Sequence, residues 1–415
     1  MGELMRRYWQ PAALAEELPQ GGAPLPVRLL GEDLALFRDD QGRPGLLAIH
    51  CSHRGADLSY GRVEDGGLRC IYHGWLYDIK GHCLEQPGEP AGSTFHERIR
   101  HRAYPCREVA GVILAYMGPG EPPLVPAYQW FTLPESHRFV TKIFQDCNHL
   151  HANEGNYDPV HLSFLHRQLV APQHGPAAKG PDPASTVDAE LTAFGVRVFG
   201  VRNIGPDQNY LTVRNFILPN MCATATAGVN WHVPIDDTHH WKYCIIFDPT
   251  APLDRSSLWT ARSETTGGYR LVRNRGNRYL QDREEMKTRT FAGLGAGFQA
   301  HDTCAVEGEG PIQDRTREHL GSGDQAIVLA RRLLLKAVHD VQSGRDPPHV
   351  IRDPAANRFP ELVSLGTVTP AGEDWHTSWQ RFVPGDGEAC VATPRLELVG
   401  LDMVEQSADP LTAKP

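Results

Sequence analysis

Two groups of metal-ligating side chains stand out in the chain. The first is Cys51-Ser52-His53 followed by Cys70-Ile71-Tyr72-His73, which gives C-x-H-x16-C-x-x-H. Two thiolates and two imidazoles suit a tetrahedral zinc ion. Zinc fingers usually group their cysteines in one half and their histidines in the other, whereas each half here supplies one of each. That partition also lets both cysteines hold one iron, and both histidines the other, of a [2Fe–2S] cluster. Neutral imidazoles in place of two thiolates remove negative charge and raise the potential of such a cluster. The second group is Asp158-Pro159-Val160-His161 with His166 beyond it, D-x2-H-x4-H. Two histidines and a carboxylate make a facial triad that leaves positions on ferrous iron open to dioxygen and substrate. Residues five apart lie about 140° apart around an ideal helix. His161 and His166 therefore meet one metal only if the helix ends, bends or takes a π-type turn between them. The plainer alternative is that Asp158 caps a helix beginning at Pro159 and the histidines sit on its surface.

Elements must position these residues, and the first third of the chain reads as β. Leu25–Leu30, Asp33–Arg38, Gly45–His50, Trp75–Ile79 and Val109–Met117 are strand-like runs broken by Gly- and Asp-containing turns. Gly118-Pro119-Gly120-Glu121-Pro122-Pro123 is the best linker. Phe144–His166 has helical or helix-turn character, and Ala193–Asn203, Tyr210–Leu218 and His239–Phe247 read as strands. Asp324–Gln342 follows the helical period with Ile327, Val328, Leu334, Leu335 and Val338 near one face, and Pro347-Pro348 ends that element. The tail Val404–Pro415 reads as frayed. The expected organisation is an N-terminal segment (1–24), an all-β domain (25–120), a larger α+β domain (121–403) and the tail (404–415), so the fold class is α+β.

Composition narrows the function. With 415 residues, 40% hydrophobic and 22% charged, the chain is globular rather than disordered. Lys+Arg 41 against Asp+Glu 50 leaves a net charge of −9, which argues against a nucleic-acid partner. No apolar run approaches the roughly eighteen residues of a membrane span. Arg6-Arg7 is followed by no apolar region, so it opens a domain rather than an export signal. Nine cysteines without a disulfide pattern suggest a cytoplasmic protein whose notable cysteines bind metal.

With Arg54-Gly55-Ala56 after the first pair and Gly74-Trp75 after the second, the cysteine–histidine motif resembles the Rieske domain of ring-hydroxylating oxygenases. Glu154-Gly155 through Asp158, His161, Phe164 and His166 resembles the iron-binding helix of their phthalate dioxygenase-like subgroup, E-G-x-x-D-x-x-H-x-x-F-x-H. The likeness runs from Leu4–Trp9 to the helix at 324–342. It implies an N-terminal all-β Rieske domain and a catalytic domain with an antiparallel sheet flanked by helices. It implies that Cys51, His53, Cys70 and His73 hold a Rieske 2Fe-2S cluster, and that His161 and His166 bind a mononuclear non-heme Fe(II). Asp158 would bridge the two centres. The third iron ligand would be Asp302, in Gln299-Ala300-His301-Asp302, with Glu307 and Asp314 as rivals. His301 stands where the family often has an acidic residue.

Asn148 and Glu154 would support the site, while His149 and His151 match no ligand position, and Cys83 and Cys106 read as structural. The activity implied is that of an oxygenase component. It would take electrons from an NAD(P)H-dependent reductase carrying flavin and a 2Fe-2S centre, activate dioxygen, and hydroxylate or oxidatively demethylate a small aromatic substrate, in this subgroup mostly a carboxylate. Arg197, Arg202 and Arg214 are the carboxylate-binding candidates. The implied assembly is a homo-trimer, or a hexamer of stacked trimers. No G-x-G-x-x-G follows a strand, so the nicotinamide site is expected on the reductase. The alternative is a pure Rieske-type electron carrier, which would hold two irons per chain rather than three and would leave some three hundred residues without a purpose.

Overall fold

A computed structural model describes residues 1–167, 169, 186–225, 228–254 and 264–383. The expected tail 404–415, and the stretch leading to the boundary at 403, lie outside the described residues.

The N-terminal region is built from short antiparallel strands in three sheets. Leu25–Leu29, Glu32–Arg38, Pro44–Ala48 and Ala103–Tyr104 form one sheet, in that order. Burial does not alternate along Glu32–Arg38, where Leu34, Ala35, Leu36 and Phe37 are all buried. The strand lies between two cores. Leu34 and Leu36 face the larger core, and Ala35 and Phe37 face a smaller one that also contains Cys51 and Cys70. Gln10–Leu14, not expected as a strand, pairs with Val112–Ala115 and is buried along its whole length.

The remainder is organised on an eight-stranded antiparallel sheet. Its spatial order is Arg138–Gln145, His240–Phe247, Gly228–Pro234, Met221–Thr224, Gln208–Ile217, Gly195–Gly205 and Thr186–Leu191, with Leu365–Pro370 also pairing to Gln208–Ile217. Phe144 and Gln145, expected in a helical segment, complete the first of these strands. The helix Gln325–Gln342 lies across one face. Its buried row is Ala326, Ala330, Leu334 and Ala337, packed on Val196, Val198 and Phe216. The expected inner face was wrong at Leu335, which is 71% exposed. The small alanines let the helix sit close on the sheet, so alanine and not the larger apolar residues marks the contact.

Gly118–Pro123 does not separate two independent bodies. Trp9 Nε1 donates to the Pro123 carbonyl at 2.9 Å. The larger core runs without a break from Leu36, Leu114 and Tyr116 into Trp231, Tyr243 and Ile245 of the large sheet.

Candidate metal centres and active site

The two cysteine–histidine loops are built alike. The Cys51 N–H donates to the Ala56 carbonyl and the Gly55 N–H to the Cys51 carbonyl, both at 2.8 Å. In the second loop the Cys70 N–H donates to Trp75 and the Gly74 N–H to Cys70, at 2.9 and 3.0 Å. Gly55 and Gly74 have φ of +76° and +75°, the left-handed turn that glycine adopts without a steric penalty. Each loop thus buries its cysteine and carries its histidine outward. The His53 and His73 rings come within 4.4 Å, and His53 stacks on Trp75 at 4.6 Å. Tyr77 Oη lies 3.2 Å from Cys51 Sγ. Burial and the neighbouring Cys70 push the Cys51 thiol up, against hydrogen bonds from Tyr77 and the His53 backbone. His53 Nδ1 is buried without a hydrogen-bond partner. Paired sulfurs below, paired imidazoles above and an orphaned ring nitrogen are what a cluster with mixed ligation requires.

The second site depends on where one helix stops. Asn148 caps the helix His149–Tyr157, its Oδ1 accepting from the Leu150 N–H at 2.9 Å. The helix ends at Asp158, ahead of Pro159. The chain then makes a single 3-10 turn, His161–Ser163, followed by a further turn to His166. His161 and His166 therefore do not share one helix, which removes the 140° conflict. Asp302 comes from the separate helix Phe298–Gly308. One ligand atom from each of His161, His166 and Asp302 lies within 4.8 Å of the others. Asp302 Oδ1 is 2.8 Å from His166 Nε2 and 3.9 Å from His161 Nε2.

Burial raises the Asp302 pKa, but His166, Lys242 and His161 outweigh it and hold the carboxyl below the usual range. Burial lowers the His166 pKa against the pull of Asp302 and keeps the ring neutral, the form that binds metal. An ionised carboxylate and two imidazoles converging on one point fit a divalent iron.

Asp158 touches this group from the side. Its Oδ2 is 3.4 Å from His161 Nδ1, and its Oδ1 accepts from the Val160 N–H at 2.7 Å. No helix begins at Pro159, so Asp158 is not the expected helix cap: it holds a turn through the Val160 N–H and neighbours the metal-facing histidine.

The rivals of Asp302 are engaged elsewhere. Glu307 accepts from Tyr279 Oη and from the Asp146 N–H, and Asp314 caps a turn through the Thr316 N–H. Asn148 and Glu154 hold the helix rather than the metal group. Glu154 makes a two-pronged contact with Arg331 at 2.7 and 2.8 Å. The arginines are also placed otherwise than expected. Arg197 turns to the opposite face of the sheet, against Glu190 and 3.6 Å from the ring centre of Trp379. Arg202 donates to Ser163 Oγ, and Arg214 is buried near Asp158, so both lie beneath the metal-bearing segment.

Three supporting residues were not anticipated. Lys242, almost wholly buried, places Nζ 3.6 Å from Asp302 Oδ2. A Cβ on Gly200 would sit 2.8 Å from Pro159 Cβ, so only glycine lets the segment 158–161 lie this close to the sheet. His301, noted only as a departure, sits between the Leu165 and Gly295 carbonyls at 3.0 and 2.9 Å and fixes the turn that carries His166. Gly200 and His301 carry no chemical motif, and Lys242 lies in a strand otherwise apolar in character, so sequence spacing could not single them out.

A mixed cysteine–histidine cluster site and a two-histidine, one-carboxylate site in one chain fit an oxygenase in which the cluster would supply electrons and the mononuclear iron would offer dioxygen a site. Similarity to known proteins agrees. Residues 8–104 match the Rieske [2Fe-2S] domain, and residues 115–393 match the LigXa C-terminal domain like family. The phthalate 4,5-dioxygenase oxygenase subunit of Pseudomonas putida is 34% identical, over 96% of this chain and 95% of that protein. The 5,5'-dehydrodivanillate O-demethylase oxygenase subunit of Sphingobium sp. is 32% identical, over 88% and 83%. The structure of dicamba monooxygenase bound to dicamba superimposes with a TM-score of 0.59 at 18% identity, over 82% of this chain and 99% of that one. The chain belongs to the Rieske non-heme iron oxygenases, as an oxygenase alpha subunit of the phthalate dioxygenase-like subgroup. Members use a Rieske cluster and a mononuclear non-heme iron, and the relatives over most of the chain are oxygenase subunits, so the electron-carrier alternative fails.

Proposed function

We propose that Cys51, Cys70, His53 and His73 hold the Rieske cluster, that His161, His166 and Asp302 hold the mononuclear iron, and that Asp158 links the two centres. The observation that carries this reading is the convergence of His161, His166 and Asp302 in a chain that also presents the paired cysteine–histidine loops. Between them the two centres, when loaded, supply single electrons and a site for dioxygen reduction. Burial keeps His166 neutral, Lys242 and the two imidazoles hold Asp302 ionised, and Asp158 Oδ2 stands 3.4 Å from His161 Nδ1, from where it can orient that ring. The substrate is a small aromatic compound, hydroxylated or oxidatively demethylated, in keeping with the phthalate 4,5-dioxygenase and dehydrodivanillate O-demethylase subunits among the relatives. Electrons come from an NAD(P)H-dependent reductase carrying flavin and a 2Fe-2S centre, in the cytoplasm. Among the described residues no helix is long and apolar enough to cross a membrane.

The working unit is a homo-trimer or a hexamer of stacked trimers. Tyr60, Ile71, Tyr72 and Phe95 stand exposed around the cluster loops, and Phe164, Phe291 and Phe298 stand exposed around His166. Head-to-tail contact of these two patches closes a ring and brings one subunit's cluster to its neighbour's iron.

Iron counting tests the reading. The purified protein should carry about three irons and two labile sulfides per chain. His161→Ala, His166→Ala and Asp302→Ala should each lose about one iron and all oxygenation while the cluster EPR signal stays. Full iron and turnover in Asp302→Ala would move the carboxylate elsewhere, and stoichiometric zinc without sulfide would end the proposal.

A further inference from the structure

The two oxygens of Asp302 face different partners. Oδ1 points at the histidine pair, 2.8 Å from His166 Nε2 and 3.9 Å from His161 Nε2. Oδ2 points at Lys242 Nζ, 3.6 Å away. Lys242 lies between His240 and Cys244 on the inward face of the strand His240–Phe247, with 2% of its side chain exposed. Asp302 is the one carboxylate within 4 Å of that ammonium among the described residues. An ammonium buried in this way is retained only beside a compensating charge, and the compensating charge is the oxygen turned away from the histidines.

We propose that Lys242 is a positioning residue that holds Asp302 to ligation of the mononuclear iron through one oxygen. For the second oxygen to reach the metal it would have to leave the buried Lys242 ammonium unpaired. Lys242 therefore keeps a coordination position open for dioxygen that a chelating carboxylate would fill. The arrangement has a cost. The ammonium repels the metal it helps to shape, so the native site binds iron less tightly than the same three ligands would without it. The inference rests on His161, His166 and Asp302 being the iron ligands.

That cost makes the test directional. Wild-type and Lys242→Met holoenzymes are compared, with iron and labile sulfide counted beforehand. Two quantities are followed: release of the mononuclear ferrous iron to a colorimetric chelator, and its near-infrared magnetic circular dichroism, taken as a difference from enzyme stripped of that iron. Lys242→Met should release this iron at least about tenfold more slowly, because the repulsion is gone and a second oxygen is free to bind. Its ligand-field bands should shift to a higher coordination number, the cluster EPR signal should not move, and Lys242→Arg should restore both readouts. Faster release with unchanged bands would mean that Lys242 only packs the site, and unchanged release would mean that it does nothing to the ligand. Either result overturns the proposal. If Lys242→Met does not accumulate as folded protein, Lys242→Gln is read in the same way. A wild-type chain with no third iron would instead remove the ligand assignment, before any variant is compared.

Discussion

Asp158 divides its oxygens between structure and chemistry. Oδ1 accepts from the Val160 N–H, and Oδ2 lies 3.4 Å from His161 Nδ1. When Nε2 of His161 faces the metal, Nδ1 carries the proton and needs an acceptor. Asp158→Asn keeps an oxygen for the Val160 N–H, so the turn should survive, since Asn caps about as well as Asp. What it then offers His161 is an amide NH2, a donor set against a donor. Both metal contents should stay near normal, and the cluster should still reduce. Its reoxidation in the presence of substrate and oxygen should slow by at least about a hundredfold, since the link that fixes the ring is lost. Stopped-flow reoxidation of the pre-reduced variant measures this. A wild-type rate would leave Asp158 as a cap alone.

At the scale of elements, the site exists because one helix is made to stop. The helix His149–Tyr157 is fixed at its start by Asn148 and along its side by the Glu154–Arg331 pair, and it ends where Pro159 follows Asp158. Proline disfavours helical geometry in the residue before it, which accounts for the extended conformation of Asp158. The chain that emerges is pressed onto the sheet at Gly200, where an added Cβ would meet Thr212 Oγ1 at 2.7 Å and Pro159 Cβ at 2.8 Å. Gly200→Ala should therefore lift the segment 158–161 and draw His161 away from His166 and Asp302. The expected outcome is a fall from about three to about two irons per chain with labile sulfide unchanged, together with a loss of thermal stability of about 1–3 kcal/mol from overpacking. Retention of all three irons would show that the segment tolerates the displacement.

At the scale of the whole molecule, the N-terminal segment and the large sheet are joined by more than a shared core. Lys142, nearly buried on the sheet, pairs with Glu17 at 2.6 Å, its ammonium 4.4 Å from the Trp241 ring centre. Several histidines are also buried in the neutral form, His232 among them. Burial lowers His149 and His240 to about 3, and His151 and His349 to about 4. In the unfolded chain such rings titrate near about 6.5. Below that pH the unfolded chain takes up protons that the folded one refuses. The stabilisation is thus complete above about 6.5 and is lost as the pH falls toward 4, at up to about 1.4 kcal/mol per pH unit for each ring. The urea midpoint should drop markedly between pH 7.5 and 5.5, and His349→Gln should flatten that slope by about one proton. Equal midpoints at the two pH values would contradict this. Assembly gives a second prediction at this scale. If the exposed Ile71 and Tyr72 seat on a neighbouring copy, Tyr72→Asp should shift sedimentation from trimer toward monomer and abolish turnover, with the cluster EPR signal intact. A fully active monomer would refute the ring.

Covalent order grouped most of the candidate side chains. Cys51, His53, Cys70 and His73 lie in two short loops, and Asp158, His161 and His166 lie within nine residues, so local spacing suffices to single them out as candidates. Periodicity also located the long helix and eight of the nineteen strands among the described residues, because a half-buried element writes its burial into the chain at a fixed repeat. Strands packed on both faces carry no such alternation, as Leu34–Phe37 shows, and the alanine row of Gln325–Gln342 is too small to register as apolar. The rest was decided by contacts between residues far apart in the chain. Asp302 stands 136 positions from His166, and nothing local separates it from Glu307 until the helix Phe298–Gly308 is laid against the turn at 161–166. The arginines alternate in side along their strands, so the register that sends Arg197 to Trp379 and Arg214 beneath Asp158 is fixed by sheet pairing. Lys242 and Gly200 act only through what tertiary packing brings to them, the one through its charge and the other through having no side chain to obstruct.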